Sequence, residues 1–186
     1  FVDEDAFSIR KLLKEKDYVL LEWKDPMSCM DISGCLKVEL PEGFRIADAN
    51  EVSDCQKGFA HGRAFGYYIN DAPDDDAAER CFQALRNAPD YLPELDLSIL
   101  DRNGEVASFA GVWYDDLNRI GILEPVGTIP KYRRMGLGKA VVYEGINRVL
   151  KMGANRIFVG SDQQFYISIG FRAIYYKQIW QKKLRD

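Results

Sequence analysis

The chain has 186 residues, 47% of them hydrophobic and 12% aromatic, which suits one well-filled core, or one domain plus an appendage, and lies above the disordered range. Its net charge of −4 argues against a nucleic-acid backbone as the main partner, since that calls for a basic face, and leaves room for a positively charged substrate. No apolar run approaches the roughly 20 residues of a membrane span, and the charged start Phe1-Val2-Asp3-Glu4-Asp5 does not read as a signal peptide. Cys29, Cys35, Cys55 and Cys81 lack paired C-x-x-C spacing, and His61 is the lone histidine. Free thiols in a cytoplasmic protein, and no metal site, are therefore expected. The missing initiating Met reads as a processed or truncated chain.

In chain order, residues 6–16 set Phe7, Ile9, Leu12 and Leu13 among charges, which predicts a short amphipathic helix. Residues 18–23 predict a strand, and Asp25-Pro26 a turn. Residues 27–35 show no clear period. Residues 1–40 are expected to form an appendage, and 41–186 the main domain. A new strand starts at 43–46. Asp48 or Asn50 then offers a side-chain cap for a helix reaching about Gly62. The passage 58–68 is soft and aromatic, with Phe59, Phe65, Tyr67 and Tyr68, and reads from the residues alone as core. Residues 70–76 form an acidic loop feeding a helix over about 75–87. Its aspartates suit a helix dipole, and their sharper reading is a rim that attracts a cationic amine.

From Asp96 the period changes to two. Leu97, Ile99 and Leu100 predict one strand, and Asp101-Arg102-Asn103-Gly104 a hairpin turn, because Asn-Gly accepts positive φ. Val106, Phe109, Gly111, Val112 and Trp113 predict the next strand. A turn at 115–118 leads into a third, over about 119–129. Short turns between three strands make an antiparallel meander. A helix over about 137–152 follows, with Val141, Val142, Ile146, Val149 and Leu150 at helical spacing and Gly153 as its C-cap. A strand at 156–159 then returns, and such a crossover gives parallel pairing. A short helix ends at Gly170, and a last strand runs over about 171–180. The expected fold class is α+β: a mixed, mostly antiparallel sheet with a central parallel strand pair and flanking helices.

The stretch around 124–140 carries the chemistry. Pro130 ends the sheet ladder, having no N–H to donate, and Arg133-Arg134-Met135-Gly136-Leu137-Gly138 makes a basic glycine turn before the helix. Glycines let backbone N–H groups approach an anion, and the helix N-terminus favours negative charge. Arg133, Arg134 and Lys139 add positive charge. The dinucleotide pattern G-x-G-x-x-G would need glycine at the position of Val141. The nucleoside-triphosphate loop would need glycine in place of Arg133 and Ser or Thr in place of Ala140. What remains is Arg-x-x-Gly-x-Gly, from Arg133 through Gly136 to Gly138, after Val126-Gly127-Thr128. This resembles the pyrophosphate-binding signature of the GNAT superfamily, the acyl-coenzyme A-dependent N-acyltransferases. Downstream, Tyr166 followed by Gly170-Phe171 resembles the Tyr-x-x-x-Gly-Phe element of the same proteins. With the strand order, the resemblance covers about residues 43–180.

The resemblance implies the GNAT fold and an N-acetyltransferase. It would move an acetyl group from acetyl-coenzyme A to a primary amine by direct attack, with a small cationic or amino-acid-like acceptor and no metal. Arg133, Arg134, Met135, Gly136, Leu137, Gly138 and Lys139 would hold the pyrophosphate. Val126, Gly127 and Thr128 would hydrogen-bond the pantetheine arm like an added strand, on a strand that bulges away from its parallel neighbour. Tyr166 would protonate the departing thiolate, since a tyrosine of pKa about 10 carries its proton at neutral pH. Glu124 is the candidate base, directly or through a water, with ordered water alone as the alternative. No asparagine lies between Arg156 and Tyr166 where the family often has one, so Ser161, Asp162 or the backbone would stand in. The helix–loop region 58–68 would line the acceptor pocket. His61 belongs to no nucleophile–base motif, which disfavours a covalent acyl-enzyme. Some tandem members join two lobes through a passage like residues 40–46. Residues 1–40 are therefore either the end of a first lobe or a family-specific extension. A catalytically inactive acyl-coenzyme A-binding regulatory or interaction module is the competing reading. Expected partners are acetyl-coenzyme A and a small amine, with neither nucleic acid nor membrane, and a homodimer is left open.

Overall fold

The computed structural model describes residues 1–67 and 77–182. Along the chain run β1 (Val2–Asp3), α1 (Phe7–Glu15), β2 (Tyr18–Asp31), β3 (Arg45–Asp48), α2 (Asp54–Phe65), α3 (Ala77–Arg86), β4 (Asp96–Leu100), β5 (Val106–Asp115), β6 (Ile120–Thr128), α4 (Leu137–Met152), β7 (Arg156–Val159), α5 (Gln164–Ser168) and β8 (Arg172–Lys182). The expected acidic loop at 70–76, the helix start at Asp75 and Tyr68 lie outside the described residues. The chain divides into two compact units. One is Asp31–Ile157; the other joins Phe1–Met30 to Phe158–Asp186.

In the larger unit β3, β4, β5 and β6 form an antiparallel meander, with Ile46 opposite Ile99, Ser98 opposite Phe109, and Phe109 opposite Gly127. The α4 crossover then brings β7 beside β6 as a parallel pair, its first residues closing this unit. The architecture is α+β, with a mixed, mostly antiparallel sheet. Alternation along the strands separates two faces. Leu97 and Val112 meet α4, where a Cβ on Gly145 would lie 2.7 Å from Val112 Cγ2. Phe109 points the other way, toward Ala64 of α2. Leu137, Val141, Val142, Ile146 and Val149 are buried along α4. Burial of each such side chain stabilises by about 1.5–3 kcal/mol.

Ser53, rather than the expected Asp48 or Asn50, caps α2. Its Oγ accepts from the Gln56 N–H at 3.2 Å, and Gln56 Oε1 accepts from the Ser53 N–H at 3.1 Å. Asp48 is unavailable for capping because it ends β3, where its carboxylate accepts from the Asn50 N–H and from Arg148, each at 3.0 Å. One turn into α2, buried Lys57 places its ammonium 2.5 Å from Asp96 Oδ1 and donates to Leu97 O at 2.8 Å and Ser98 Oγ at 3.0 Å. Burial pushes the Lys57 pKa below its ordinary value, and Asp96 opposes the shift. A carbonyl, a hydroxyl and the adjacent Asp96 carboxylate surround the ammonium, which is what lets a charge sit inside.

In the smaller unit β8 pairs antiparallel with both β1 and β2. The turn expected at Asp25-Pro26 is absent: β2 runs through it, with Pro26 opposite Tyr176. Register shifts at Leu20/Lys24 and Met27/Ser28 flank this proline, and a ladder already interrupted there tolerates a missing N–H. The last strand is longer than expected, reaching Lys182. Residues 1–30 are thus tied to the C-terminal strand. Residues 31–40 go with the larger unit, where the Asn147 carboxamide accepts from Leu36 N–H at 2.7 Å and donates to Leu36 O at 2.9 Å. The four cysteines are free thiols. Among the described residues, no helix is long and apolar enough to cross a membrane, and no group of three His, Cys, Asp or Glu side chains is placed to hold a metal.

Candidate active site

The ladder between β5 and β6 is interrupted at one place. Ala110 pairs with Val126 and Val112 with Leu123, so Gly111 alone faces both Glu124 and Pro125. This is a β-bulge: two residues of β6 against one of β5. Only glycine fits opposite it, because a Cβ at 111 would lie 2.7 Å from Glu124 O. The bulge takes that carbonyl out of the ladder, and the Trp113 indole N–H supplies its hydrogen bond at 3.1 Å. Beyond the bulge come Val126, Gly127 and Thr128, each half-buried. Gly127 is a second forced glycine, since its Cβ would lie 2.4 Å from Phe109 Cζ. Ser108 Oγ donates to Gly127 O at 2.9 Å and lies 2.8 Å from Thr128 Oγ1.

A 3-10 turn, Pro130–Tyr132, then leads to the glycine turn. It is fastened to the β4–β5 hairpin: Tyr132 OH donates to Asp101 Oδ2 at 2.6 Å, and Lys131 pairs with Glu105 at 2.7 Å. Although burial works against it, the bond from Tyr132 and backbone N–H groups of Glu105 and Asn103 hold the Asp101 carboxyl below its ordinary pKa. The Arg133 guanidinium donates to Thr128 O at 3.1 Å and to Ala64 O at 2.9 Å. It braces strand, turn and α2; both Arg133 and the neighbouring Arg134 are exposed.

Arg134 and Gly136 both adopt left-handed backbone, φ 66° and 83°. For the non-glycine Arg134 this is an uncommon conformation of the kind that gathers at ligand-binding turns. Gly136 is the N-cap of α4 and supplies no side-chain cap, and the first turn of the helix has no acidic residue. The leading N–H groups of a 16-residue helix therefore face outward without a side-chain acceptor at the cap. An open cavity of about 290 Å³ lies there, lined by Lys37, Glu39, Met135, Gly136 and Lys139 among others.

Glu124, Val126, Gly127, Thr128 and the turn residues from Arg133 to Lys139 thus belong to one strand–turn–helix of the larger unit. Ser161 and Tyr166 belong to the smaller unit. There Ser161 Oγ accepts from the Gln163 N–H at 3.3 Å. The buried Tyr166 ring stands edge-on to Phe165 and Phe171, and Tyr166 O accepts from the Phe171 N–H at 3.0 Å. Gly170 makes this return with φ 110°. Asp162, the other stand-in for the missing asparagine, accepts from Tyr176 OH at 3.2 Å.

Sequence reasoning missed Gly111, Trp113 and the Leu36–Asn147 clamp. A glycine inside a strand is itself a bulge signal and would have found the first. Nothing local marks the other two, since their partners lie 11 and 111 residues away. His61 is also placed here. It lies in an aromatic cluster with Phe65, Tyr67, Phe82 and Phe109, on the α2 face of the sheet.

A fold with a bulged strand, a glycine turn and an open helix N-terminus can be compared with known proteins. The family model for the acetyltransferase (GNAT) family matches residues 59–171, more than half of the chain. The chain belongs to that family. Among solved structures, a GCN5-related N-acetyltransferase from Sphaerobacter thermophilus superposes with a TM-score of 0.74 at 14% identity, over 97% of this chain and 57% of that one. A tandem GNAT protein from the clavulanic acid biosynthesis pathway gives 0.64 at 10% identity, over 92% of this chain and 57% of that one. A GCN5-related N-acetyltransferase from Kribbella flavida gives 0.57 at 17% identity, over 91% and 61%. The chain therefore spans about 57–61% of the length of these three. At such identities the likeness is one of fold. No curated protein matches the sequence.

Proposed function

We propose that the protein is an N-acetyltransferase that moves an acetyl group from acetyl-coenzyme A to a primary amine, a small cationic or amino-acid-like acceptor, by direct attack. The observation that carries this reading is the conjunction, in one strand–turn–helix, of the bulge at Glu124 and Pro125 with the uncapped α4 N-terminus. The pyrophosphate would take the N–H groups of the turn and of the first turn of α4, with Arg134 and Lys139 adding positive charge. Arg133 serves by bracing the turn. The pantetheine arm would pair with Val126, Gly127 and Thr128. The amine nitrogen attacks the thioester carbonyl carbon, a C–N bond forms, and the C–S bond breaks. The proton leaving the amine goes to Glu124 or to water, and the departing thiolate takes one from Tyr166. Ser161 would serve the cofactor arm in place of the family's asparagine.

Coenzyme A release with a panel of primary amines tests the reading, with a Tyr166→Phe variant beside the wild type. Turnover is expected with acetyl-coenzyme A and an amine together, and a loss of about 10²-fold or more in kcat for the variant, the usual contribution of a general acid. Binding of acetyl-coenzyme A without any turnover would favour an inactive binding module. Unchanged kcat in the variant would remove Tyr166 from the mechanism.

A further inference from the structure

We infer that the acceptor amine is carried on an aromatic group, which stacks on the Phe65–Tyr67 ring pair at the end of α2. The inference rests on the acetyltransferase reading and deepens it. Phe65 and Tyr67 lie with ring planes 19° apart and centroids 5.9 Å apart, in the offset-stacked range. Large apolar rings normally go inside, yet these remain 45% and 68% exposed. The pair rests on His61. His61 contacts Phe65 at 4.6 Å and Tyr67 at 5.7 Å between centroids, and also Phe82 and Phe109. The backbone is fixed as well, since Tyr67 N–H donates to Gly62 O at 2.9 Å across the left-handed Gly66.

The platform is continuous with β6. Phe65 touches Phe109, whose ring tip fills the space that a Gly127 side chain would need. Ala64, one residue before Phe65, binds Arg133 through its carbonyl and also packs over Gly127. Rings on this surface therefore sit beside the strand assigned to the acyl arm. A flat π-surface there favours a ligand that is both planar and positively charged, because ring faces attract cations as well as other rings. A primary amine on a short alkyl link to an aromatic ring meets both conditions. A polyamine or a free lysine supplies the charge without the plane.

The test compares phenethylamine and tryptamine with butylamine and spermidine as acceptors for acetyl-coenzyme A, following coenzyme A release. The aryl amines are expected to show kcat/KM at least tenfold above butylamine. Phe65→Ala and Tyr67→Ala are expected each to raise the aryl-amine KM by roughly three- to tenfold, the value of one stacking contact. Both positions are exposed. Retained thermal stabilisation by acetyl-coenzyme A shows that the variants are folded. Preference for spermidine or butylamine, or an aryl-amine KM unmoved in both variants, overturns the inference while leaving the acetyltransferase reading intact. Absence of turnover with all four amines overturns the reading on which it rests.

Discussion

His61 has no motif to recommend it, and its surroundings give it a defined state. Burial first, and then the Lys57 ammonium one turn earlier, push its pKa below the ordinary 6.5. The groups packed around the ring from elsewhere, Phe82 of α3, Phe109 of β5 and Tyr67, offer no carboxylate to reverse the shift. The sign of the consequence follows by linkage. The unfolded chain takes up the proton as pH falls through about 6.5, and the folded chain takes it only at lower pH. Stability is thus untouched by this residue above pH 6.5 and declines from there downward. The wild-type melting temperature is expected to fall relative to that of His61→Phe between about pH 7.5 and 5. An equal difference at both pH values would show that the imidazole titrates normally. Arg133 makes a similar point. Its place in Arg-x-x-Gly-x-Gly was legible in the sequence, but its work as a brace was not, because the accepting carbonyls of Thr128 and Ala64 come from two other elements.

At the scale of elements, α4 approaches β5 closely. Gly145 permits it, with a virtual Cβ only 2.7 Å from Val112 Cγ2. Gly145→Ala improves helix propensity but forces the helix off the sheet. A net destabilisation of about 1–3 kcal/mol is expected, the usual cost of overpacking. Trimming the facing side chain tests the cause: adding Val112→Ala to Gly145→Ala should recover part of the loss, a coupling that urea denaturation of the four species measures. Strict additivity would mean that the contact does not limit the packing. The elements themselves were largely readable, because α4 and the β4–β5–β6 meander carry unbroken periods and clear turn residues. The hairpin falls where expected, with Gly104 at φ 80° but Asn103 outside positive φ, and the Asp101 carboxylate accepts from the N–H groups of Asn103 and Glu105. Pro26 and the α2 cap were misread for one reason. Whether a proline ends a strand, or which of several polar residues caps a helix, depends on partners distant in sequence.

The whole molecule is where ligand binding is read. A ligand that binds only the folded state at 100 times its Kd adds about 2.7 kcal/mol. For a chain of this size each kcal/mol shifts the melting temperature by roughly 2–4 °C. Acetyl-coenzyme A in that excess is therefore expected to raise it by roughly 5–10 °C. The rise should be smaller in Arg134→Ala combined with Lys139→Ala at the same concentration, since both side chains are assigned to the phosphates. Stabilisation by ATP or NAD but not by acetyl-coenzyme A would transfer the glycine turn to a different ligand.

The amino-acid sequence by itself determined the α+β class, the order of most strands and helices, and the GNAT family. Those properties rest on local periodicity, on turn chemistry and on two short motifs, each complete within a few adjacent residues. Tertiary structure alone decided that the β6 bulge falls at Glu124 and Pro125, because a bulge is a relation between two strands and Gly111 sits on the other one. It alone decided that Arg133 ties two backbone carbonyls together, that Lys57 is a buried ammonium paired with Asp96, and that Phe65 and Tyr67 form an exposed stack, with Phe65 against Phe109. Most of these are contacts between groups far apart in the chain, which no short window of sequence contains; Phe65 and Tyr67 are near neighbours, and only their exposure and their packing on Phe109 needed the fold.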